Sequence, residues 1–357
     1  MERMTRPIGR ALQAGFLVAG STAAIGAQAQ SSVTLYGVVD AYLDYSNHNA
    51  PAVPGQGGDH STLRLTSSGL SGSRWGLRGV EDLGGGTKAV FALESGFNTD
   101  NGTLVDSRLF TRQAFVGLSG KFGQLTVGRQ YTTLFDNLFG LTPLIYAGVY
   151  EPFMVMLGPL RADNSIKYRI ERDGLSAQAH YGFGEQPGAP QGGAAWGGGM
   201  SYQSGAVGVT AVYDQLNGLQ AAAGYGKQQK AALAGTLSLG DARLSAGYRW
   251  ARGTDATGAT ANRDDMWWAG VNYALTPAFQ LSAAFYFDDV KRAAGGSAAS
   301  SPKQYVLQGI YSLSKRTDAY AAIGYVSGGS LNFVAPQSLA PGKSNQTGAA
   351  LGLRQKF

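Results

Sequence analysis

Short segments in which apolar and polar side chains alternate recur along this chain from residue 32 to residue 357. In LSAQAHYGF at 175–183, leucine, alanine, tyrosine and phenylalanine share one parity, while serine, glutamine and histidine share the other. Consecutive residues of a β-strand point to opposite faces, so this pattern predicts a strand with one apolar and one polar face. The alternation is repeated in SVTLYGVVDAYLDY (32–45), ARLSAGYRW (242–250), AFQLSAAFYFD (278–288) and GAALGLRQKF (348–357). No segment after residue 30 sustains a helical period, so we expect an all-β chain.

The connections between these segments alternate between short and long. Seven are short and rich in turn-forming residues, at 81–86, 119–123, 171–174, 204–206, 240–241, 275–278 and 314–318. Eight are long, at roughly 46–70, 98–109, 130–160, 184–193, 214–228, 251–264, 288–303 and 327–346. Together they connect sixteen strands, with short turns at one rim and long loops at the other. This layout is typical of an outer-membrane β-barrel with short periplasmic turns and long extracellular loops.

The last segment, 348–357, taken alone fits the edge strand of a soluble sheet equally well. The strands of a soluble sandwich are nearer five or six residues, however, and have no reason to end in aromatic side chains. Here aromatic residues suited to the headgroup level gather near the strand ends: Tyr45, Tyr181, Trp196, Tyr202, Tyr213, Tyr248, Trp250, Tyr273, Phe287, Tyr311 and Tyr325. A sheet in lipid cannot leave an edge unpaired, so the last strand must pair with the first. The sequence therefore predicts a sixteen-stranded antiparallel transmembrane β-barrel.

The first 29 residues have the order of a secretory signal peptide. MERMTRPIGR carries three arginines, ALQAGFLVAGSTAAIGA is uncharged, and Ala27 and Ala29 form an A-x-A pattern. We expect cleavage after Ala29, which leaves residues 30–357 as one barrel domain. The chain has no cysteine, so it can form neither a disulfide nor a thiolate metal site.

Few residues are candidates for catalysis. The three histidines, His48, His60 and His180, fall in no serine–histidine–acid spacing, and no G-x-S-x-G motif occurs. GVEDLGGGTK lacks the order of a phosphate-binding loop, because Thr87 precedes Lys88. We therefore expect no enzymatic activity, no metal and no cofactor. The net charge of +6 lies partly in the signal peptide and is too weak to indicate a nucleic-acid partner.

The third long loop, 130–160, is unusually apolar for its length. Only Asp136 and Glu151 are charged in it. Its three prolines, at 143, 152 and 159, argue against a spanning helix. A surface loop with exposed apolar side chains is one interpretation. The composition favours a loop that folds inward and packs on the barrel wall.

Several arginines lie on the polar parity of their segments. In SRWGLRG, Arg74 and Arg78 share one face, while tryptophan and leucine take the face that should meet lipid. In RADNSIKYRI (161–170), Arg161 likewise falls opposite an apolar parity. TRQAFVGL (111–118) is ambiguous, because its phenylalanine and its valine suggest opposite orientations, and the face of Arg112 stays open.

The mature chain resembles the general, non-specific porins of Gram-negative bacteria, above all those of beta-proteobacteria. The resemblance is carried by SVTLYGVVDAYLDY, SGSRWGLRGVEDLGGGTKAVFALESGF, RLFTRQAFVGLSGKFGQLTVGRQ and the terminal GLRQKF. It covers essentially the whole mature chain, although the later strands match only in pattern. It implies a homotrimer in the outer membrane, reached after export through the periplasm, with lipid and lipopolysaccharide around it. It also implies that the third loop narrows the pore.

The resemblance assigns roles to single residues. SRWGLRG, TRQAFVGL and RADNSIKY are similar to the segments that supply the arginine ladder of general porins, which implies a basic wall of Arg74, Arg112 and Arg161. Arg78 shares the face of Arg74 and is counted with this wall; the alternative is that each arginine is merely a solvated lumen charge. The terminal aromatic residue of such barrels is read by the outer-membrane assembly machinery. Phe357 fits that role, and a simple interface anchor is equally compatible with it.

This chain departs from the family pattern at the tip of the third loop. General porins of enterobacteria carry carboxylates there, whereas NLFGLTPLIYAG (137–148) has none. Asp136 and Glu151, near the two ends of the loop, are the only expected counter-charges to the basic wall. The positive side should therefore dominate the field in the channel.

The expected function is passive diffusion of small hydrophilic solutes and ions, with a preference for anions. The alternative is a substrate-specific channel, for a sugar or an organic anion, and a sugar channel needs an aromatic track along the lumen. The candidates for such a track are scattered: Tyr36, Tyr42, Trp268, Tyr286 and Tyr320. The homotrimer is also favoured by small residues on the lipid-facing parity of the early strands, Gly37, Ala41 and Gly79, which would let another subunit approach closely.

Overall fold

The computed structural model describes residues 31–53, 57–296, 300–333 and 339–357. The predicted signal peptide, residues 1–29, lies outside them. Within the described residues, seventeen strands form one closed antiparallel sheet. The strands are β1 (Ser32–Asn49), β2 (His60–Ser67), β3 (Arg74–Gly84), β4 (Thr87–Gly96), β5 (Gln113–Gly120), β6 (Gly123–Tyr131), β7 (Arg161–Arg172), β8 (Leu175–Gly182), β9 (Ala195–Ser204), β10 (Val207–Asn217), β11 (Lys227–Leu239), β12 (Ala242–Thr254), β13 (Thr260–Thr276), β14 (Phe279–Arg292), β15 (Lys303–Ser312), β16 (Thr317–Ser327) and β17 (Asn345–Lys356).

These strands occupy sixteen positions around the barrel. Residues 41–49 of β1 pair with β2, and residues 32–38 of β1 pair with β3. β2 and β3 therefore lie end to end beside the same strand. The predicted sixteen-stranded barrel is confirmed, with its second strand interrupted at 68–73.

The interruption of the second strand is organised by the carboxylate of Asp40, which is buried on the inner face of β1. Its oxygens accept hydrogen bonds from the backbone N–H groups of Gly69, Leu70 and Ser71 at 3.0, 2.8 and 2.9 Å. The hydroxyl of Tyr320 donates a further hydrogen bond at 2.5 Å. Backbone N–H groups that leave a strand ladder need other partners, and one carboxylate satisfies three of them here.

β17 closes the barrel by pairing with β1. At the end of the chain, the N–H of Phe357 donates to the carbonyl of Gly37 at 3.1 Å, and the N–H of Gly37 donates to the carbonyl of Phe357 at 3.0 Å. The predicted pairing of the last strand with the first is confirmed, and it satisfies the requirement that a sheet in lipid has no free edge.

The glycines that were expected to admit a neighbouring subunit are covered by rings of the same chain. A Cβ atom on Gly37 would lie 2.3 Å from the ring of Phe357, and a Cβ atom on Gly79 would lie 2.1 Å from the ring of Phe91. Both glycines are buried although they belong to the lipid-facing parity. An aromatic ring of the same chain already fills the space over each glycine, so the close approach of another subunit at these two positions stays a prediction.

The outer face of the barrel carries exposed aliphatic and aromatic side chains, and the inner face is mainly polar or small. On β5, whose orientation the sequence leaves open, Val116 and Leu118 are 55% and 43% exposed and point outward. Phe115 pairs with Ala92 and points inward with it. Each of the seven predicted short turns joins two neighbouring strands.

The third long loop folds into the barrel, as predicted. It contains two short helices, α1 (Thr133–Leu138) and α2 (Phe153–Leu157). α1 packs against β8 to β11, and the apolar side chains Leu134, Leu138 and Met156 are buried within the barrel. Across the described ranges, no helix has the length and apolar character needed to cross a bilayer.

Candidate functional site

The barrel encloses a cavity of about 1240 Å³ beside the third loop. Its lining extends from Asp106 at the long-loop end to Pro277 at the short-turn end, so the cavity runs through the barrel. Its basic lining residues are Arg74, Arg112, Arg129, Arg161, Arg169, Arg354 and Lys356. Its acidic lining residues are Glu94, Asp106, Asp136 and Asp318. The electrostatic field in the channel depends on how many of these basic groups are paired.

Two of the predicted arginines share a single carboxylate. Arg112 contacts Glu94 at 2.7 Å, from Nε to Oε1, and Arg74 contacts it at 3.4 Å, from Nε to Oε2. The hydroxyls of Tyr36 and Tyr131 donate to the same carboxylate at 3.0 and 3.3 Å. The group of two arginines and one glutamate keeps one positive charge in excess.

Arg161 has no carboxylate partner among the residues that the structure describes. Its guanidinium carbon lies 4.9 Å from the ring centre of Tyr131, over the face of the ring. Its Nε is buried and has no hydrogen-bond partner in the described part of the chain. Arg112 donates to the hydroxyl of the same Tyr131 at 2.6 Å. The structure therefore brings Arg74, Arg112 and Arg161 together around Glu94 and Tyr131, with two positive charges uncompensated.

Arg78 lies apart from this cluster. Its side chain is exposed, and its guanidinium carbon lies 5.2 Å from the ring centre of Tyr36. It is not among the residues that line the cavity. The structure does not bring Arg78 into contact with the other three arginines, because it sits further along β3 towards the short turn.

The two loop acids occupy very different places. Asp136 lines the cavity but forms an ion pair with Lys167 of β7, so its charge is compensated. Glu151 is buried behind the loop, where it accepts hydrogen bonds from the hydroxyl of Tyr286 at 2.9 Å and from two backbone N–H groups of the loop. Glu151 was expected to face the basic wall as a counter-charge, and the structure corrects this expectation because the carboxylate is buried on the other side of the loop. Neither acid balances the arginines.

The loop is fastened to the wall along its length. Five of its hydrogen bonds, in chain order, are Leu134 N–H to Asp214 (2.9 Å), Trp268 Nε1–H to the carbonyl of Leu141 (3.3 Å), Asn272 Nδ2–H to the carbonyl of Pro143 (2.8 Å), Tyr150 O–H to Asp44 (2.7 Å), and Lys230 Nζ–H to the carbonyl of Val155 (3.0 Å). A loop held along its length forms a fixed constriction, so fixed charges and fixed width determine what passes.

We expect the fastening of the loop to depend on pH through Glu151. Burial raises the pKa of this carboxyl to about 7, from 4.5 in an exposed chain. The docked loop therefore binds a proton more tightly than a released loop does. Docking is strongest below about pH 4.5, weakens as the pH rises towards 7, and changes no further above that.

The measurement is open-channel current noise in planar bilayers at pH 5 and pH 8. Loop-release events should be at least about tenfold more frequent at pH 8, since one pKa unit corresponds to about 1.4 kcal/mol. Glu151→Gln keeps the shape and cannot ionise, so the difference in noise between pH 5 and pH 8 should be clearly smaller in this variant than in the wild type. Equal noise in the wild type at both pH values would contradict the role given to Glu151.

A second basic group lies at the end of the chain, and the sequence analysis did not assign it to the wall. Arg354 contacts Asp318 at 2.7 Å and Lys356 contacts it at 2.9 Å, so two basic groups again share one carboxylate. Both line the cavity. The signal was available, because Arg354 and Lys356 fall on the polar parity of the terminal strand.

The side chains considered for a sugar track are used for other purposes. Trp268, Tyr286 and Tyr320 are buried, and each donates a hydrogen bond within the protein. Tyr36 donates to Glu94. The structure thus offers no continuous aromatic track on the barrel wall within the described residues. Nor does that part of the chain contain a group of three or more His, Asp or Glu side chains that could hold a metal ion.

The chain belongs to the Gram-negative porin family, whose sequence profile matches residues 15–330. An outer membrane porin protein of Bordetella pertussis is 40% identical over 172 residues, which are 45% of this chain and 44% of that protein. Outer membrane porin protein 32 of Delftia acidovorans is 38% identical over 171 residues, which are 45% of this chain and 46% of that protein. The aligned region thus spans under half the length of each relative.

Solved structures match over a larger share of the chain. An anion-selective porin from Comamonas acidovorans has a TM-score of 0.79 and 26% identity, covering 92% of this chain and 100% of that one. OmpT of Vibrio cholerae has a TM-score of 0.67 and 18% identity, covering 92% and 98%, and shows the fold alone. Family and fold together place the chain in the outer membrane as a β-barrel.

Proposed function

We propose that this chain forms a passive diffusion channel for small hydrophilic solutes and ions, with a preference for anions. The observation that carries the proposal is the cluster of Arg74, Arg112 and Arg161 around Glu94, in which positive charges exceed negative ones by two. The similar porin from Comamonas acidovorans is described as anion-selective, which supports the same sign here. The family and the fold point to a channel and not to an enzyme.

Electrostatics gives this cluster its influence on passing ions. The guanidinium group stays charged at any working pH, so the wall is permanently positive. Screening in physiological salt acts over ~8 Å, so ions that pass close to the arginines are only partly screened from them. A hydrated anion that passes the arginines is therefore attracted, and a cation is repelled, before salt can screen the interaction.

The other charged groups of the channel do not cancel the net positive charge of the arginine cluster. Asp136 is compensated by Lys167, and Glu151 is withdrawn behind the loop. Arg354 and Lys356 share Asp318, so they add one further positive charge. Reconstitution into planar bilayers under a KCl gradient tests the proposal, because the sign of the zero-current potential reports the preferred ion.

The partners that we propose follow from the family. They are two further copies of the chain in a homotrimer, the surrounding lipid and lipopolysaccharide, and the outer-membrane assembly machinery. The exposed apolar side chains of the outer face are what a lipid environment requires. We propose that Phe357 is the residue that the assembly machinery reads, because it follows the strand that closes the barrel and its ring remains accessible on the outer face.

Deletion of Phe357 should sharply reduce the yield of assembled trimer. It removes the two terminal hydrogen bonds to Gly37 and uncovers the glycine that the ring shields. We expect at least several-fold less heat-modifiable trimer in outer-membrane fractions, with exported chain left in the periplasm. Phe357→Tyr is the matched control and should assemble normally. A normal trimer yield from the deletion would show that neither recognition nor closure depends on this residue.

A further inference from the structure

The side of the cavity formed by the third loop is apolar and aromatic. Phe139, Ile145 and Met154 all line the cavity and are 58%, 42% and 52% exposed. A pathway for hydrated inorganic ions has no use for large apolar side chains in contact with water. Their exposure inside a channel indicates a surface suited to the apolar part of a solute.

The aromatic side chains of this surface form a continuous series that begins at the arginines. Arg161 lies over the ring of Tyr131, which stacks on Phe135 with ring centres 4.0 Å apart and planes inclined by 7°. Phe135 lies 6.2 Å from Phe139, and Phe139 lies 5.6 Å from Tyr146. Tyr131 ends β6, Phe135 lies in α1 and Phe139 caps that helix, so the series leads from the barrel wall onto the loop.

The two surfaces together have the shape of an amphipathic site. The arginine cluster supplies planar guanidinium groups, which match the two oxygens of a carboxylate. Arg161 lines the cavity and has no carboxylate partner in the described residues, so its charge is available to a carboxylate of the solute. Phe139 and Ile145 line the same cavity and supply an apolar surface on which a flat ring can stack.

We infer that the constriction holds a binding site for carboxylates that carry an aromatic ring. The carboxylate contacts Arg161 and Arg112, and the ring lies against Phe139 and Ile145. This inference rests on the proposed anion preference and adds a substrate class to it. It differs from a sugar site, which would need polar partners around the ring. Such a solute would bind weakly and briefly, so that it crosses the channel instead of blocking it permanently.

The experiment measures the conductance of the wild-type channel in planar bilayers with sodium benzoate, sodium acetate or benzyl alcohol added. In about 0.1 M KCl the screening length is ~10 Å, so the arginines remain effective. Benzoate should halve the chloride current at a concentration about tenfold lower than acetate, because it adds one aromatic contact. Benzyl alcohol has the ring without the charge and should have no effect in the same range.

Variants separate the ring from the charge. Phe139→Ala should raise the half-blocking concentration of benzoate about tenfold and leave that of acetate unchanged. Phe139→Leu keeps an apolar side chain without a ring and should fall between Phe139→Ala and the wild type. Phe183→Ala removes an aromatic side chain that is exposed outside the cavity lining, and its benzoate response should equal that of the wild type.

The failure of this inference can be told apart from the failure of the proposed function. A wild-type channel that prefers chloride but is blocked equally by benzoate and acetate would overturn the aromatic site and leave the anion preference standing. A channel that prefers potassium would overturn both. An unchanged benzoate response in Phe139→Ala would also overturn the aromatic site, since the exposed ring is its central element.

Discussion

Replacing Arg74 and Arg161 together by serine should abolish most of the anion preference of the channel and increase its conductance. The double variant leaves Arg112 paired with Glu94 at 2.7 Å, which is a neutral group. Both uncompensated charges of the cluster are then gone, so chloride loses its attraction and potassium its repulsion. Conductance rises because two long side chains no longer fill the narrowest part of the lumen. We expect the chloride-to-potassium permeability ratio to fall most of the way towards unity, with a residual preference from Arg354 and Lys356.

Removing the negative charge of the cluster should increase the selectivity for anions. Glu94→Gln removes the one carboxylate in the cluster and leaves three arginines uncompensated, so the preference for chloride should strengthen. Arg316→Ser removes an exposed arginine in a short turn outside the cavity lining and serves as the control with no expected effect. If the double variant and the wild type had the same permeability ratio, the cluster would not be the selectivity element.

Replacing Asp40 by alanine should destabilise the barrel strongly. Three backbone N–H groups, two of them fully buried, and the hydroxyl of Tyr320 lose their acceptor. An orphaned buried donor costs about 1–3 kcal/mol, so the total loss is several kcal/mol. The interruption at 68–73 also supports the third loop, because the N–H of Val149 donates to the carbonyl of Gly69 at 3.0 Å.

The readout is the temperature at which the heat-modifiable species converts to unfolded monomer on gels, together with open-channel noise. Asp40→Ala should convert at a clearly lower temperature and should show noisier current, since the loop loses part of its support. Asp100→Ala changes an exposed aspartate in a long loop and should behave like the wild type. A transition temperature for Asp40→Ala equal to that of Asp100→Ala would contradict the structural role of Asp40.

The strand alternation was enough to predict the barrel because each face of a strand meets a different solvent. Lipid selects apolar side chains and the lumen selects polar ones, so the pattern is visible in most segments, although not in β5. The interruption of the second strand could not be predicted from the sequence. It is organised by the carboxylate of Asp40, and the alternation of β1 indicates only that this side chain faces the lumen. The partners of that carboxylate are backbone groups, which leave no mark on side-chain composition.

The site could be predicted in part for a similar reason. Arg74 and Arg161 begin their strands on the polar parity, and alternation was sufficient to locate them. Arg112 precedes β5, on a parity that points outward within the strand, yet its side chain reaches Glu94 inside the barrel. Alternation applies only inside a regular strand, so the orientation of a residue just before one had to come from the structure.

Residues that depend on a distant partner were the least predictable. Glu151 is an acid in an apolar loop, and composition alone suggested a pore charge. Its actual partner, Tyr286, is 135 positions away, and only the folded loop brings the two side chains together. Gly37 is a second example of a partner that the sequence does not reveal. The glycine indicates a gap in the outer face of β1, but only the structure shows that the ring of Phe357 fills this gap.

The central claim is that a positively charged constriction gives the wild-type channel an anion preference. The most direct test is the zero-current potential of the wild-type protein in a planar bilayer with a tenfold KCl gradient. The account predicts that the dilute side becomes negative, because chloride crosses faster than potassium, and that the potential shrinks as both concentrations are raised, because salt screens the arginines. A dilute side that becomes positive would contradict the account.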